Sequence, residues 1–207
     1  MYRVIFINPS LFPPLKVKVT FETKELIKAW VAISIAFGIL IYKGGQPLVF
    51  SITIGAFTVG IGFLAHELSH RHFARKFGKH AEFRANNRML IIAILMSFFG
   101  FIIAAPGAVL ISGFVSKREG GIIASAGPSA NLILALIFLP LVFVIPTIAY
   151  YGLMINAWLA LFNLIPFRGF DGHKIIDWSK PAYFTILIIA IIMNIIHVIV
   201  PNFINIL

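Results

Sequence analysis

Residues 57–71 read FTVGIGFLAHELSHR, an uncharged run of nine residues that passes straight into His66-Glu67-Leu68-Ser69-His70. On an α-helix, positions 66 and 70 lie about 40° apart around the axis and about 6 Å along it, so both imidazoles can reach one metal ion. Glu67, between them, is a candidate base for a water that such a metal activates. A charged residue at the centre of a membrane helix costs roughly 2.5–3.5 kcal/mol on insertion scales. That cost weighs against the plainer alternative, a polar cluster that merely bridges helices.

Composition sets the class. Of the 207 residues, 60% are hydrophobic and 12% are charged, with a mean hydropathy of +0.98. Soluble domains carry about 25% charged residues, so a polytopic membrane protein is expected. The length leaves room for about five to six transmembrane helices of roughly 20 residues. The expected fold is all-α, with a re-entrant or β-hairpin segment near 89–116. Residues 1–20 read as an extended cytoplasmic segment, because Lys16-Val-Lys-Val-Thr20 alternates with period two. Residues 21–207 read as one membrane-embedded domain. No cleavable signal peptide is evident. Cysteine is absent, which excludes disulfides and thiolate zinc ligands. The net charge of +10 is better explained by basic loops at a lipid bilayer than by nucleic acid. Oligomeric state is not legible.

Apolar segments fall at about 25–42, 47–70, 89–111, 121–145, 148–166 and 182–200. Gly44-Gly45-Gln46-Pro47 marks a tight turn. If 89–116 enters the membrane and returns, 16 of the 17 Lys and Arg residues share one face and only Lys43 lies opposite. The positive-inside rule names that face the cytoplasm, so the N-terminus and the motif are expected there, in a prokaryotic cell membrane. Re-entrant backbone is tolerated where protein or a wet cavity surrounds it.

Catalytic zinc usually takes three protein ligands and one water. The seven acidic residues are Glu22, Glu25, Glu67, Glu82, Glu119, Asp171 and Asp177. Glu22 and Glu25 start the first helix, Glu82 lies in a basic loop, Glu119 begins a later helix and Asp177 follows in a polar tail. Asp171 differs, because it follows a helix ending near Phe167, on the same expected side as His70. Pro166 and Gly169 break that helix and can turn the carboxylate back. Two histidines and one aspartate form a sound zinc donor set, with Asp171 the third ligand. Asn163 offers an amide that could stabilise an oxyanion; an interhelical hydrogen bond is its plainer role.

His66-Glu67-Leu-Ser-His70 together with Asn163-Leu-Ile-Pro166-Phe-Arg-Gly-Phe-Asp171-Gly172 resembles the site-2 protease family of intramembrane metalloproteases. That family's second motif is N-x-x-P-x-x-x-x-D-G, and each fixed position matches. Gly127-Pro128-Ser-Ala-Asn131 also resembles a family segment, although small residues at a helix start pack well without chemistry. The likeness covers roughly 55–180. It implies one zinc ion per chain on His66, His70 and Asp171, acid–base work by Glu67, and a transmembrane-helix substrate cut within the bilayer. It also implies a membrane-embedded β-hairpin, which fits 106–113. Ser69 and Arg168 depart from the commoner Gly and Pro.

Two rival functions stand beside this one. A different membrane zinc protease would take its third ligand from Glu82 or Glu119. A zinc or cation transporter would line a path with His66, Glu67 and His70, but the other helices offer few polar residues for it.

Overall fold

The computed structural model describes residues 15–102 and 106–204; for 15–20 and 202–204 it describes the backbone alone. The described residues form two compact units, one up to residue 115 and one from residue 116.

The first unit begins with α1 (Leu15–Lys43). After the turn at 44–47, where Gly45 adopts φ 99°, comes α2 (Leu48–Gly55), a π-helical turn (Ala56–Gly60) and α3 (Ile61–Lys76). These three pieces run on as one helix, Leu48–Lys76. α1 and α2 pack closely because glycine stands where their backbones meet. A Cβ on Gly55 would lie 2.6 Å from the Ser34 carbonyl oxygen, and one on Gly38 would lie 2.8 Å from the Ile52 backbone. In lipid, where no hydrophobic effect drives helices together, such close approach is a main source of association. The indole N–H of Trp30 donates to the Ala56 carbonyl at 3.1 Å, where the π turn begins. That turn adds a residue to the helix and shifts the register of its buried face before the histidine motif.

A two-stranded antiparallel sheet follows. β1 (His80–Ala85) pairs with β2 (Gly107–Ser112), Ala85 opposite Gly107 and His80 opposite Ser112. Between them runs α4 (Asn87–Ser97), whose N-cap Asn86 accepts from the Met89 N–H. Eleven residues rise about 16 Å, roughly half the hydrocarbon thickness of a bilayer. α4 alone is therefore too short to cross. Phe83 of β1 is fully buried and meets Phe63 of α3 edge-on, with centroids 5.8 Å apart.

The second unit opens with α5 (Lys117–Leu141). Ser116 and Glu119 close a capping box at its start, at 2.8 and 3.3 Å. α6 (Pro146–Asn163), α7 (Asp171–Trp178) and α8 (Lys180–Ile204) complete it. Its core is built from alanines and leucines, among them Ala135, Leu153, Ala157, Ala160 and Ala190. Asn194 of α8 donates to the Ala157 carbonyl of α6 at 2.8 Å, and the Tyr183 hydroxyl donates to the Leu164 carbonyl at 2.9 Å.

Four described helices are long and apolar enough to cross a membrane: Phe21–Lys43, Leu48–Lys76, Lys117–Leu141 and Lys180–Pro201. The all-α membrane architecture with a small β element is as expected, but four such helices stand where five to six were expected. α6 has 18 residues, yet Tyr150, Tyr151, Asn156 and Asn163 dilute its apolar content.

Four local expectations are corrected. Lys16–Thr20 belongs to α1 instead of an extended segment; residues 1–14 lie outside the described ones. The β element is not a local hairpin at 106–113, because the partner of β2 comes from 80–85, across α4. Gly127-Pro128 lies inside α5 and does not open it. The polar stretch after Asp171 is helical, as α7.

Replacing Gly55 by valine drives a side chain into the Ser34 carbonyl. We expect a loss of about 1–3 kcal/mol, read as a lowered unfolding midpoint in detergent.

Candidate metal centre

In the first unit, the buried face of α3 is Gly62, Phe63, His66, Glu67, His70 and Ala74. His66, Glu67 and His70 fall within an arc of about 100° on the helix surface, so one face carries the whole motif inward. The Nε2 atoms of His66 and His70 are 3.0 Å apart, and the rings meet edge-to-face with centroids 4.6 Å apart. Two nitrogen ligands at about 2.0–2.1 Å on a tetrahedral zinc ion lie about 3.3 Å apart. The pair thus converges on one point at nearly the spacing the metal requires. Glu67 is buried beside it.

Asp171 and Asn163 belong to the second unit. α6 ends at Asn163, and Gly169 takes φ 110° in the bend that follows. Asp171 is the first residue of α7 and is buried, where the N-terminal end of the helix dipole favours a negative charge. Gly172 is required beside it, because a Cβ there would collide with the Leu164 carbonyl. The helix break foreseen at Pro166 and Gly169 is therefore present. The Asn163 side-chain amide donates to the Leu159 carbonyl, one turn back, at 2.8 Å. Of its two N–H groups, one is engaged within its own helix.

Asn131 is fully buried in α5 and donates to the Asn156 side chain of α6 at 3.1 Å, while Asn156 donates to the Gly152 carbonyl at 2.9 Å. The plainer reading of Asn131, packing between helices, describes these contacts. Both rival carboxylates have other partners. Glu82 sits in β1 with Arg84 at 2.9 Å and His80 at 3.8 Å, and Glu119 caps its own helix. Asp177 is exposed near His173, at 3.6 Å.

On α7, burial pushes the Lys174 ammonium down to about 7. The unfolded chain then holds more protons than the folded one between pH 7 and the ordinary lysine value. The contribution of this side chain to stability therefore grows as pH rises through that window.

The comparisons with known proteins point the same way. Over 168 residues the chain is 40% identical to "Putative zinc metalloprotease MJ0611" of Methanocaldococcus jannaschii, covering 77% of this chain and 86% of that one. The chain belongs to this zinc metalloprotease family. It is also 31% identical over 153 residues to "Putative zinc metalloprotease YwhC" of Bacillus subtilis, covering 60% of this chain and 68% of that one. No family model matches the chain, and no solved structure matches it.

Sequence reasoning missed the contacts of Glu22 and the strand at 80–85. The strand had a signal: in His80-Ala-Glu-Phe-Arg-Ala85 polar and apolar residues alternate.

Asn131→Ala removes one buried interhelical hydrogen bond, and such bonds in membranes are worth about 1 kcal/mol. We expect that loss in thermal unfolding, with the zinc content of the purified protein unchanged.

Proposed function

We propose that the protein is an intramembrane zinc endopeptidase of the site-2 protease kind, cutting transmembrane helices of membrane-anchored proteins. The observation that carries the reading is the converged His66–His70 pair on a helix long and apolar enough to span a membrane. His66 lies 18 residues from Leu48, about 27 Å along that helix, so the pair sits at or near the end of the apolar slab, where the basic residues begin. Family membership supports metalloprotease chemistry, and the Asn163-to-Gly172 motif supports the site-2 protease assignment.

We assign Asp171 as the third ligand. Two histidines and one carboxylate are a donor set of the type found in catalytic zinc sites. Zinc held there would supply Lewis acidity, acidifying water and polarising a peptide carbonyl. Glu67 takes the proton from the attacking water and hands it to the leaving amine as the peptide bond breaks. The second N–H of the Asn163 amide is assigned to the developing oxyanion. The face that carries the N-terminal and motif-side basic residues is assigned to the cytoplasm by the positive-inside rule.

The test combines metal analysis with cleavage of a single-span membrane substrate in detergent or vesicles. We expect about one zinc per chain in the wild type, and loss of zinc in Asp171→Ala and in the double variant His66→Ala with His70→Ala. Glu67→Gln should keep zinc and lose cleavage by a factor of 100 or more, the range general acid–base groups supply. A zinc-free wild type under metal-replete conditions would contradict the reading, as would a Glu67→Gln variant with full cleavage.

A further inference from the structure

Glu22, near the start of the first apolar span, is buried and is the meeting point of three elements. Its Oε1 lies 3.0 Å from Arg71 Nη1 and accepts the Phe83 N–H at 3.0 Å. Its Oε2 accepts from Arg75 Nη2 at 3.3 Å. Arg75 in turn donates from Nε and Nη2 to the Ala81 carbonyl at 3.0 and 2.7 Å. One carboxylate on α1 thus holds α3 through two arginines and β1 through a backbone N–H. Arg71 directly follows His70, and Arg75 lies one turn further on.

We propose that Glu22 is a positioning residue for the metal centre, acting through Arg71 and Arg75 to fix the rotation of α3. The inference rests on the zinc reading above. A helix is free to roll about its axis unless its two ends are tied. Packing ties α3 upstream, at the π turn and at Phe63 against Phe83. Downstream, past His70, its outer side is basic, with His72, Arg75 and Lys76 exposed. Glu22 supplies a tie at that end, beside the Arg75 bonds to the Ala81 carbonyl. A roll of one helix face would carry His66 and His70 together away from a shared metal, because both ride on the same stripe. Groups beyond the ligands that orient them typically change metal affinity 10–100-fold when removed.

Glu25 gives a matched control. It lies one turn along α1, accepts the Ala85 N–H at 3.1 Å and pairs with Lys28. It holds the same strand by the same kind of bond, and among the described residues no hydrogen bond or ion pair is seen from it to α3. The experiment measures zinc affinity by chelator competition, and hydrogen exchange of α3 amides without metal, on the full chain in detergent. The variants are Glu22→Gln, Arg71→Gln and Glu25→Gln, with the double variant His66→Ala and His70→Ala as the zinc-site control. We expect Glu22→Gln and Arg71→Gln to weaken zinc binding about tenfold or more and to speed exchange across α3. Glu25→Gln should do neither. Wild-type affinity in Glu22→Gln, or an equal fall in Glu25→Gln, would overturn the proposal. Arg71→Gln leaves Glu22 on the Phe83 N–H, so it carries the test if Glu22→Gln does not fold. If the wild type binds no zinc, or the double histidine variant binds it equally well, the zinc reading fails. Exchange across the metal-free α3 then still decides whether Glu22 holds that helix.

Discussion

Two imidazoles and a carboxylate must be kept on one buried face of a helix whose surroundings are otherwise apolar. Much of the first unit follows from that demand. The imidazoles face each other across 3.0 Å, a spacing that suits a proton shared between them or a metal in its place. Polar atoms in such surroundings are expensive unless partnered, so the helix that carries them must be held in both position and rotation. Glycines let α1 approach to backbone distance upstream. Downstream, where the helix becomes basic, a buried glutamate adds ion pairs to the packing of Ala74.

The sheet has a comparable logic. β1 is paired on one side by β2, while on α1 Glu22 and Glu25, one helical turn apart, accept the N–H groups of Phe83 and Ala85, two residues apart along the strand. An unpaired strand edge in an apolar setting would leave these donors unsatisfied. Carboxylates at a three-residue helical spacing match amides at a two-residue strand spacing, since one helical turn and two strand residues both span about 5–7 Å. Gly107 fits the same constraint, because a Cβ there would meet the Arg84 carbonyl at 2.6 Å.

What could be read from the sequence was whatever is local. The apolar runs, the turn at Gly45, the inward face of His66 and His70 and the bend before Asp171 each depend on a few neighbouring residues. The sheet depends on pairing between residues 80–85 and 107–112 across an intervening helix, and no local pattern announces that partner. A basic setting hid the alternation at 80–85, while a similar alternation at 16–20 lies in a helix, which shows how little five residues of period two decide. The role of Glu22 was hidden for the same reason: its partners Arg71, Arg75 and Phe83 lie some 50–60 residues away. Membership of the zinc metalloprotease family was foreshadowed by the two motifs, which are short and contiguous.

We propose that zinc is held by two histidines on one helix and an aspartate that opens another. Anomalous diffraction at the zinc edge from crystals of the metal-loaded protein tests it most directly. One peak per chain is expected, about 2.0–2.2 Å from the Nε2 atoms of His66 and His70 and from a carboxylate oxygen of Asp171. A peak bound by Glu82 or Glu119 in place of Asp171, or no peak at the histidine pair, would contradict it.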